Sequence, residues 1–300
     1  MSFFHYSYNL CNLRNLWIVF SRTLSLRANM AEPSVAIVTG ASSGIGQETA
    51  LAFARKRYAV VLAARRTDRL NEVARACRQA GAPEALAVPT DVGDEAQVQA
   101  LVERAVGQFA RVDVLVNNAG YGQFARVHET ATQDMQDIFR VNFFGLFYGC
   151  KAVAPVMIRQ RSGHIFNISS VIGRRGTPFH GAYCATKFAV IGLTDSIRVE
   201  LKPYGVRVTA VLPALTQTEF FQRSRRGRAA GASFQKWKTL TPPSVVAEKI
   251  VRAVGHNRPQ ITLTFGGKLL VLISALSPRL ADALMGRYHR DLAKRLKDTE

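Results

Sequence analysis

Acidic residues and cysteines are scarce in this chain. Of 300 residues only 21 are Asp or Glu, against 40 Lys and Arg, which leaves a formal net charge of +19. The four cysteines, Cys11, Cys77, Cys150 and Cys184, are scattered and form no CxxC pair. That argues against a disulfide framework and a zinc site, and it suits a reducing compartment. With no His/Cys cluster either, no metal is expected. The apolar run at 16–20 is far too short to cross a bilayer, and so is the one at 269–276. There is no internal repeat, low-complexity tract, zinc finger, helix-turn-helix or aromatic-basic RNA motif. Nucleic-acid binding therefore rests on charge alone and is not expected. The charge is uneven: residues 221–300 hold sixteen Lys and Arg against five Asp and Glu. Such a region is either a solvated surface or a patch for an anionic partner.

The apolar share, 48%, is ample for a single large core, so the chain reads as one domain with extensions. Residues 1–33 look like an addition. They carry Arg14, Arg22 and Arg27 and no acid before Glu32. That composition fits a targeting segment; it also fits a tail ahead of a later start at Met30. The main domain is expected over 34–266, with a substrate loop at about 214–240. A basic helical extension follows at 267–300.

Within the domain, apolar strands alternate with helices. Strands are expected at 35–39, 58–64, 85–89, 112–116, 164–168, 207–212 and 259–265. Helices are expected to about residue 57, at 69–80, 95–109, 136–161, to about 201, and at 242–257. This alternation predicts α/β architecture: a doubly wound parallel sheet, a Rossmann fold. Ligands of such sheets bind beyond the C-terminal strand ends.

The first strand runs into Gly40-Ala-Ser-Ser-Gly44-Ile-Gly46 and then a helix. Glycines at that turn let a pyrophosphate approach the backbone N–H groups of the helix N-terminus. The second strand ends at Ala64, where an NAD site carries an acid for the ribose hydroxyls; Arg65 follows. An Arg there can pair with a 2′-phosphate, which reads as NADP(H). Asp91 and Asn117 fall at later strand ends. Tyr183 and Lys187 sit four apart, on one helix face. A phenol near pKa 10 becomes a usable acid or base when an ammonium stabilises its phenolate.

Together these elements resemble the short-chain dehydrogenase/reductase family. The matching motifs are TGASSGIG at 39–46, Asp91, NNAG at 117–120, Asn142 in VNFFG, Ser170, and YCATK at 183–187. The resemblance implies hydride transfer between NADP(H) and a small-molecule carbonyl/alcohol pair on a lipophilic substrate. Tyr183 would be the general acid/base and Lys187 its pKa-lowering partner, also holding the nicotinamide ribose. Ser170 would bond the substrate oxygen, and Asn142 would anchor a water in a proton relay. Gly40, Gly44 and Gly46 would accept the pyrophosphate, with Ser42, Ser43 and Ile45 in the same turn. Asp91 and Val92 would lie by the adenine. Asn118, Ala119 and Gly120 would flank the cofactor, with Pro213 and Thr218 near the nicotinamide. The family also implies a homodimer or homotetramer through the helices bearing Asn142 and Tyr183.

Two positions depart from the family pattern. Pro213-Ala214 replaces the usual Pro-Gly, and Ser43 stands where many NADP members have a basic residue. A 3-oxoacyl thioester reductase is the alternative substrate class, with arginines of the 224–228 stretch meeting the carrier's phosphate. A non-catalytic NADP-binding sensor is the alternative function. The apolar run at 269–276 could pack on a subunit, cover a lipophilic pocket, or touch a bilayer beside the basic tail. The expected location is cytoplasmic, with peripheral membrane association.

Overall fold

In β1 (Val35–Thr39) and β2 (Ala59–Ala64) every residue is buried. Both faces of these strands are covered, so their sequences are continuously apolar instead of alternating. The structure, a computed structural model, describes residues 32–216, 225–226 and 240–297. The main sheet adds β3 (Ala85–Pro89), β4 (Val114–Asn117), β6 (Gly163–Ile168), β7 (Val206–Leu212) and β9 (Gln260–Thr262). The short β5 (Gln123–Phe124) and β8 (Arg225–Arg226) pair separately. The sheet order is β3-β2-β1-β4-β6-β7-β9, parallel throughout. Register is set residue against residue, Val35 opposite Ala59 and Val38 opposite Leu62.

The helices are α1 (Gly44–Arg55), α2 (Thr67–Gln79), α3 (Glu95–Phe109), α4 (Thr132–Phe139), α5 (Gly145–Gln160), α6 (Gly181–Leu201), α7 (Pro243–Ala253), α8 (Phe265–Leu276) and α9 (Pro278–Lys297). They cover the sheet on both sides. Ala36 and Val38 of β1 point to a layer with Phe53 of α1, Leu70 of α2 and Ile250 of α7. Val35 and Ile37 point the other way, to Leu101 of α3, Val153 and Met157 of α5 and Val190 of α6. Phe53 and Phe166 are fully buried, and truncating either to Ala would cost about 3–5 kcal/mol. Local signals end several helices: Arg57, Ala110 and Arg161 each take a positive φ just past a helix terminus.

Two expected elements come out differently. The strand foreseen at 259–265 holds only from Gln260 to Thr262. Thr264 Oγ1 accepts the Gly267 N–H at 3.1 Å and caps α8, drawing Phe265 into the helix. The helix foreseen from 136 starts at Thr132 and contains a π-helical stretch, Arg140–Phe144, in which the Gly145 N–H bonds to the Arg140 carbonyl. By length and composition the 132–160 run could cross a membrane, yet half of it is buried in the protein. Leu146, Val153 and Met157 bury its inner face against the sheet.

A buried polar chain fixes α6 against the sheet. Asn117 Nδ2 donates to Asn167 Oδ1 at 3.0 Å, and Asn167 Nδ2 donates to Thr194 Oγ1 at 3.0 Å. Ser169 Oγ adds a bond to the Lys187 carbonyl at 2.9 Å. The helix bearing Tyr183 and Lys187 is thus tied to β4 and β6, not merely packed on them.

Candidate active site

The chain leaves β1 toward β3 and returns to β4, so β1 and β4 are neighbours whose following loops diverge. A crevice opens at that switch point. One wall is the glycine turn. Gly40 has φ +64, and a Cβ there would lie 2.8 Å from Asn118 Nδ2 and 2.9 Å from Ala119 Cα. Only glycine satisfies both the backbone and the space. Asn118 holds the turn in place: its Nδ2 donates to the Thr39 carbonyl at 2.9 Å, and its N–H donates to Thr39 Oγ1 at 2.9 Å. The Ala119 N–H also reaches Thr39 Oγ1, at 3.1 Å. Ser42, Ser43, Gly44 and Ile45 line the crevice at the start of α1. Gly46 does not line it. Its α-carbon faces the Gly40 carbonyl so closely that any Cβ would collide there. Gly46 thus has a packing requirement of its own, beside the pyrophosphate role that the family pattern implies for it.

Arg65 and Arg66 form the next wall. Arg65 is exposed, whereas Arg66 turns back, its Nη2 donating to Ser42 Oγ at 3.1 Å and to the Ser42 carbonyl at 3.3 Å. Asp91 accepts the Gly93 N–H at 2.9 Å and pairs with Arg140 at 3.4 Å. Val92, Gly120 and Pro213 also line the cavity.

Tyr183 is buried and borders this cavity near its inner end. Burial pushes its hydroxyl pKa well up, while a hydrogen bond with the Ser170 side chain opposes the rise. Lys187 is also buried, and burial brings its ammonium down to about 8. Its Nζ donates to the Ile168 carbonyl at 2.8 Å and lies 5.6 Å from the Tyr183 ring centre. The expected lowering of the tyrosine is thus not seen in the protein by itself, where desolvation of Tyr183 is the largest cause and raises its pKa. Ser170 sits at the end of β6, its Oγ donating to the Pro213 carbonyl at 3.4 Å. Asn142 lies in the π-helical stretch, fully buried and outside the cavity wall. Its Oδ1 accepts the Tyr121 N–H at 3.0 Å and its Nδ2 donates to the Tyr121 carbonyl at 2.9 Å. A π-turn at such a position is a common mark of a functional site.

The cavity encloses about 890 Å³, room for a dinucleotide together with a small substrate. The glycine cradle, the open N-terminus of α1 and the arginines fit a phosphate-bearing nicotinamide dinucleotide. Such a group would be held by Gly40, Ser42, Gly44, Ile45 and Asn118 and would supply or accept a hydride. Apolar residues Phe124, Val171, Ile172 and Leu215 also line the cavity. Of the loop foreseen at 214–240, residues 217–224 and 227–239 lie outside the described residues, and Thr218 with them. Its base is closed by the Thr216–Thr241 bridge, and β8 pairs with β5.

Several cavity residues carry no sequence signal. Arg140 stands 49 positions from Asp91, and Arg66 is indistinguishable from the start of a solvated helix. Leu270 of α8 and Met285 and Tyr288 of α9 also line the cavity. Those three were readable only as parts of an apolar run and a basic tail.

Comparison with known proteins agrees with this geometry. Residues 34–229 match the model of the short chain dehydrogenase family. A 3-oxoacyl-[acyl-carrier-protein] reductase of Synechocystis sp. is 39% identical over 185 residues, 62% of this chain and 75% of that one. An alcohol dehydrogenase of the archaeon Thermococcus sibiricus, complexed with 5-hydroxy-NADP, superposes with TM-score 0.69 at 30% identity, covering 77% of this chain and 96% of its own. A short chain dehydrogenase/reductase from Burkholderia phymatum, in complex with NAD, gives TM-score 0.75 at 31% identity, covering 84% and 96%. The match to the family model over more than half of the chain, together with these similarities in sequence and shape, shows that the chain belongs to the short-chain dehydrogenase/reductase family of oxidoreductases.

Proposed function

We propose that this protein is an NADP(H)-dependent oxidoreductase that interconverts a carbonyl and an alcohol on a lipophilic substrate. The observation that carries the reading is the cluster of Tyr183, Ser170 and Lys187 at the apolar end of a cavity whose other end is a glycine cradle. Tyr183 donates its proton to the substrate oxygen in reduction and takes it back in oxidation. Its hydroxyl is protonated in the protein at neutral pH, as a general acid requires. Ser170 donates to the same oxygen as charge develops. Lys187 stands at hand to stabilise the tyrosinate that is left. Asn142 acts from behind, by holding the backbone of Tyr121 at the cavity edge.

Arg65 supports the 2′-phosphate reading because it is exposed at the end of β2, and Arg66 adds a second cation there. The relatives include proteins seen with either NAD or an NADP derivative, so the choice falls to these residues. Assembly as a homodimer or homotetramer is supported by aromatics left exposed on neighbouring helices, Phe144 and Phe147 before and in α5 and Phe188 in α6.

Titration with NADPH and NADH, followed by turnover of a ketone panel, tests this. NADPH preference should fall in Arg65→Ala. Tyr183→Phe should lose turnover at least a hundredfold and keep cofactor binding. Cofactor binding with no turnover of any ketone or alcohol, in wild type as in Tyr183→Phe, would favour a sensor. The 3-oxoacyl thioester reading is favoured by β8, whose Arg225 and Arg226 are paired to the cavity strand β5. Saturable turnover of an acetoacetyl carrier thioester over free ketones would establish it.

A further inference from the structure

Helix α8 is apolar apart from Lys268 and Ser274, and its apolar residues lie on more than one face. Its inner face packs on the domain: a Cβ at Gly267 would lie 2.8 Å from Val171 Cγ1, and Leu270 lines the cavity. Its outer face carries Phe265, Leu269, Leu272 and Leu276 at intervals of four, three and four, one stripe of a helix. All four are exposed, Phe265 by 82% and Leu276 by 76%, and Leu280 at the start of α9 extends the stripe. Twelve helical residues make a ridge about 18 Å long. An exposed apolar patch of this kind marks an interaction surface.

The charge around the ridge indicates the partner. Residues 265–297 hold seven Lys and Arg and two Asp. One of the acids, Asp282, is already paired with Arg175. Lys268, Arg279, Arg287, Arg290 and Lys294 are exposed. An apolar ridge set among cations is complementary to a surface with an anionic layer over an apolar interior.

The same helices wall the cavity. Met285 and Tyr288 of α9 line it together with Leu270. Helix α9 is held across it by the Arg175–Asp282 pair and by His289, whose ring stacks on Phe179 at 5.3 Å. The ridge and the substrate chamber are therefore two sides of one thin wall.

We infer that α8 and the start of α9 form a docking surface for anionic lipid bilayers, and that a lipophilic substrate enters the cavity from the bilayer along this wall. The entry step rests on the reading of the cavity as a lipophilic substrate site; the docking step does not. No covalent chemistry is involved.

The test is flotation of the full chain with phosphatidylcholine vesicles, with and without phosphatidylglycerol. The protein should float with the anionic vesicles, and high salt should weaken the association. Leu272→Glu with Leu276→Glu should reduce the bound fraction at least tenfold. Turnover of a water-soluble ketone should be unchanged in that variant, because neither side chain lines the cavity. Turnover of a long-chain ketone dissolved in the vesicles should drop severalfold. Failure to float with anionic vesicles, or flotation that the double variant leaves intact, overturns the docking surface. So does a wild-type dimer that the double variant converts to monomer, since a second copy would then cover the ridge. Loss of all ketone turnover in wild type, with flotation intact, would overturn the catalytic reading and leave docking standing.

Discussion

The Lys187 ammonium donates to the main-chain carbonyl of Ile168 at 2.8 Å, so the last residue of β6 anchors the cation beside Tyr183. The bond is buried, and burial holds the lysine at about 8 instead of its usual 10.5. Between those values the unfolded chain binds more protons here than the folded one. Stability contributed by this group therefore rises with pH from 8 toward 10.5, and the penalty is complete below 8. In the cofactor-free protein, the stability gap between wild type and Lys187→Met should move by about 2 kcal/mol in favour of wild type between pH 7 and 10. Urea unfolding at the two pH values measures it.

Gly40→Ala tests the cradle. The substitution places a side chain at φ +64, which costs about 1 kcal/mol. It also brings Cβ within 2.8 Å of the Asn118 amide. Asn118 must give way, and with it the bonds to Thr39. Dinucleotide affinity should fall at least tenfold in a protein that is still folded. Fluorescence titration and a thermal melt together separate the two effects.

Asn142→Leu removes both side-chain bonds to the Tyr121 backbone. Each buried backbone group left without a partner costs about 1–3 kcal/mol. The variant should be destabilised by about 2–5 kcal/mol, with kcat falling more than cofactor affinity. Asn142→Asp keeps the acceptor for the Tyr121 N–H and opposes its carbonyl, so it should be intermediate in both respects.

His164 predicts acid sensitivity. Its Nδ1 accepts the Gly255 N–H at 3.3 Å, so its Nε2 carries the proton shared with Thr209 Oγ1 at 2.8 Å. Thr209 in turn donates to the Arg258 carbonyl at 2.6 Å. The imidazole is held neutral by burial, its pKa lowered to about 3. From pH 6.5 down toward 3 the unfolded chain takes up more protons than the folded one, and stability falls. Between pH 7 and 4.5 wild type should lose about 2 kcal/mol more than His164→Asn. Equal losses would show that the ring is not neutral in the folded protein.

Much of this molecule is visible along the chain. Strands such as β1 and β2 are apolar runs because a parallel sheet buries both faces. The glycine turn, Asp91, Asn118, Ser170 and the Tyr183–Lys187 pair each sit next to the strand or helix that presents them. The motif spacing marked Gly46 without showing how closely it meets the Gly40 carbonyl. It was silent about Arg140, and it left open whether the 269–276 run would pack on a subunit, cover a pocket or touch a bilayer.

The sequence by itself determined the order of strands and helices along the chain, the glycine turn, and the placing of Tyr183 and Lys187 on one helix face. Those follow from local patterns, since apolar periodicity, glycine at a turn and four-residue spacing act over a few positions. Tertiary structure alone decided that the Ile168 carbonyl would anchor Lys187, that burial would raise the Tyr183 hydroxyl and lower the Lys187 ammonium, and that Leu270, Met285 and Tyr288 would line the cavity. These depend on which distant segments meet, and on how much water is excluded where they do.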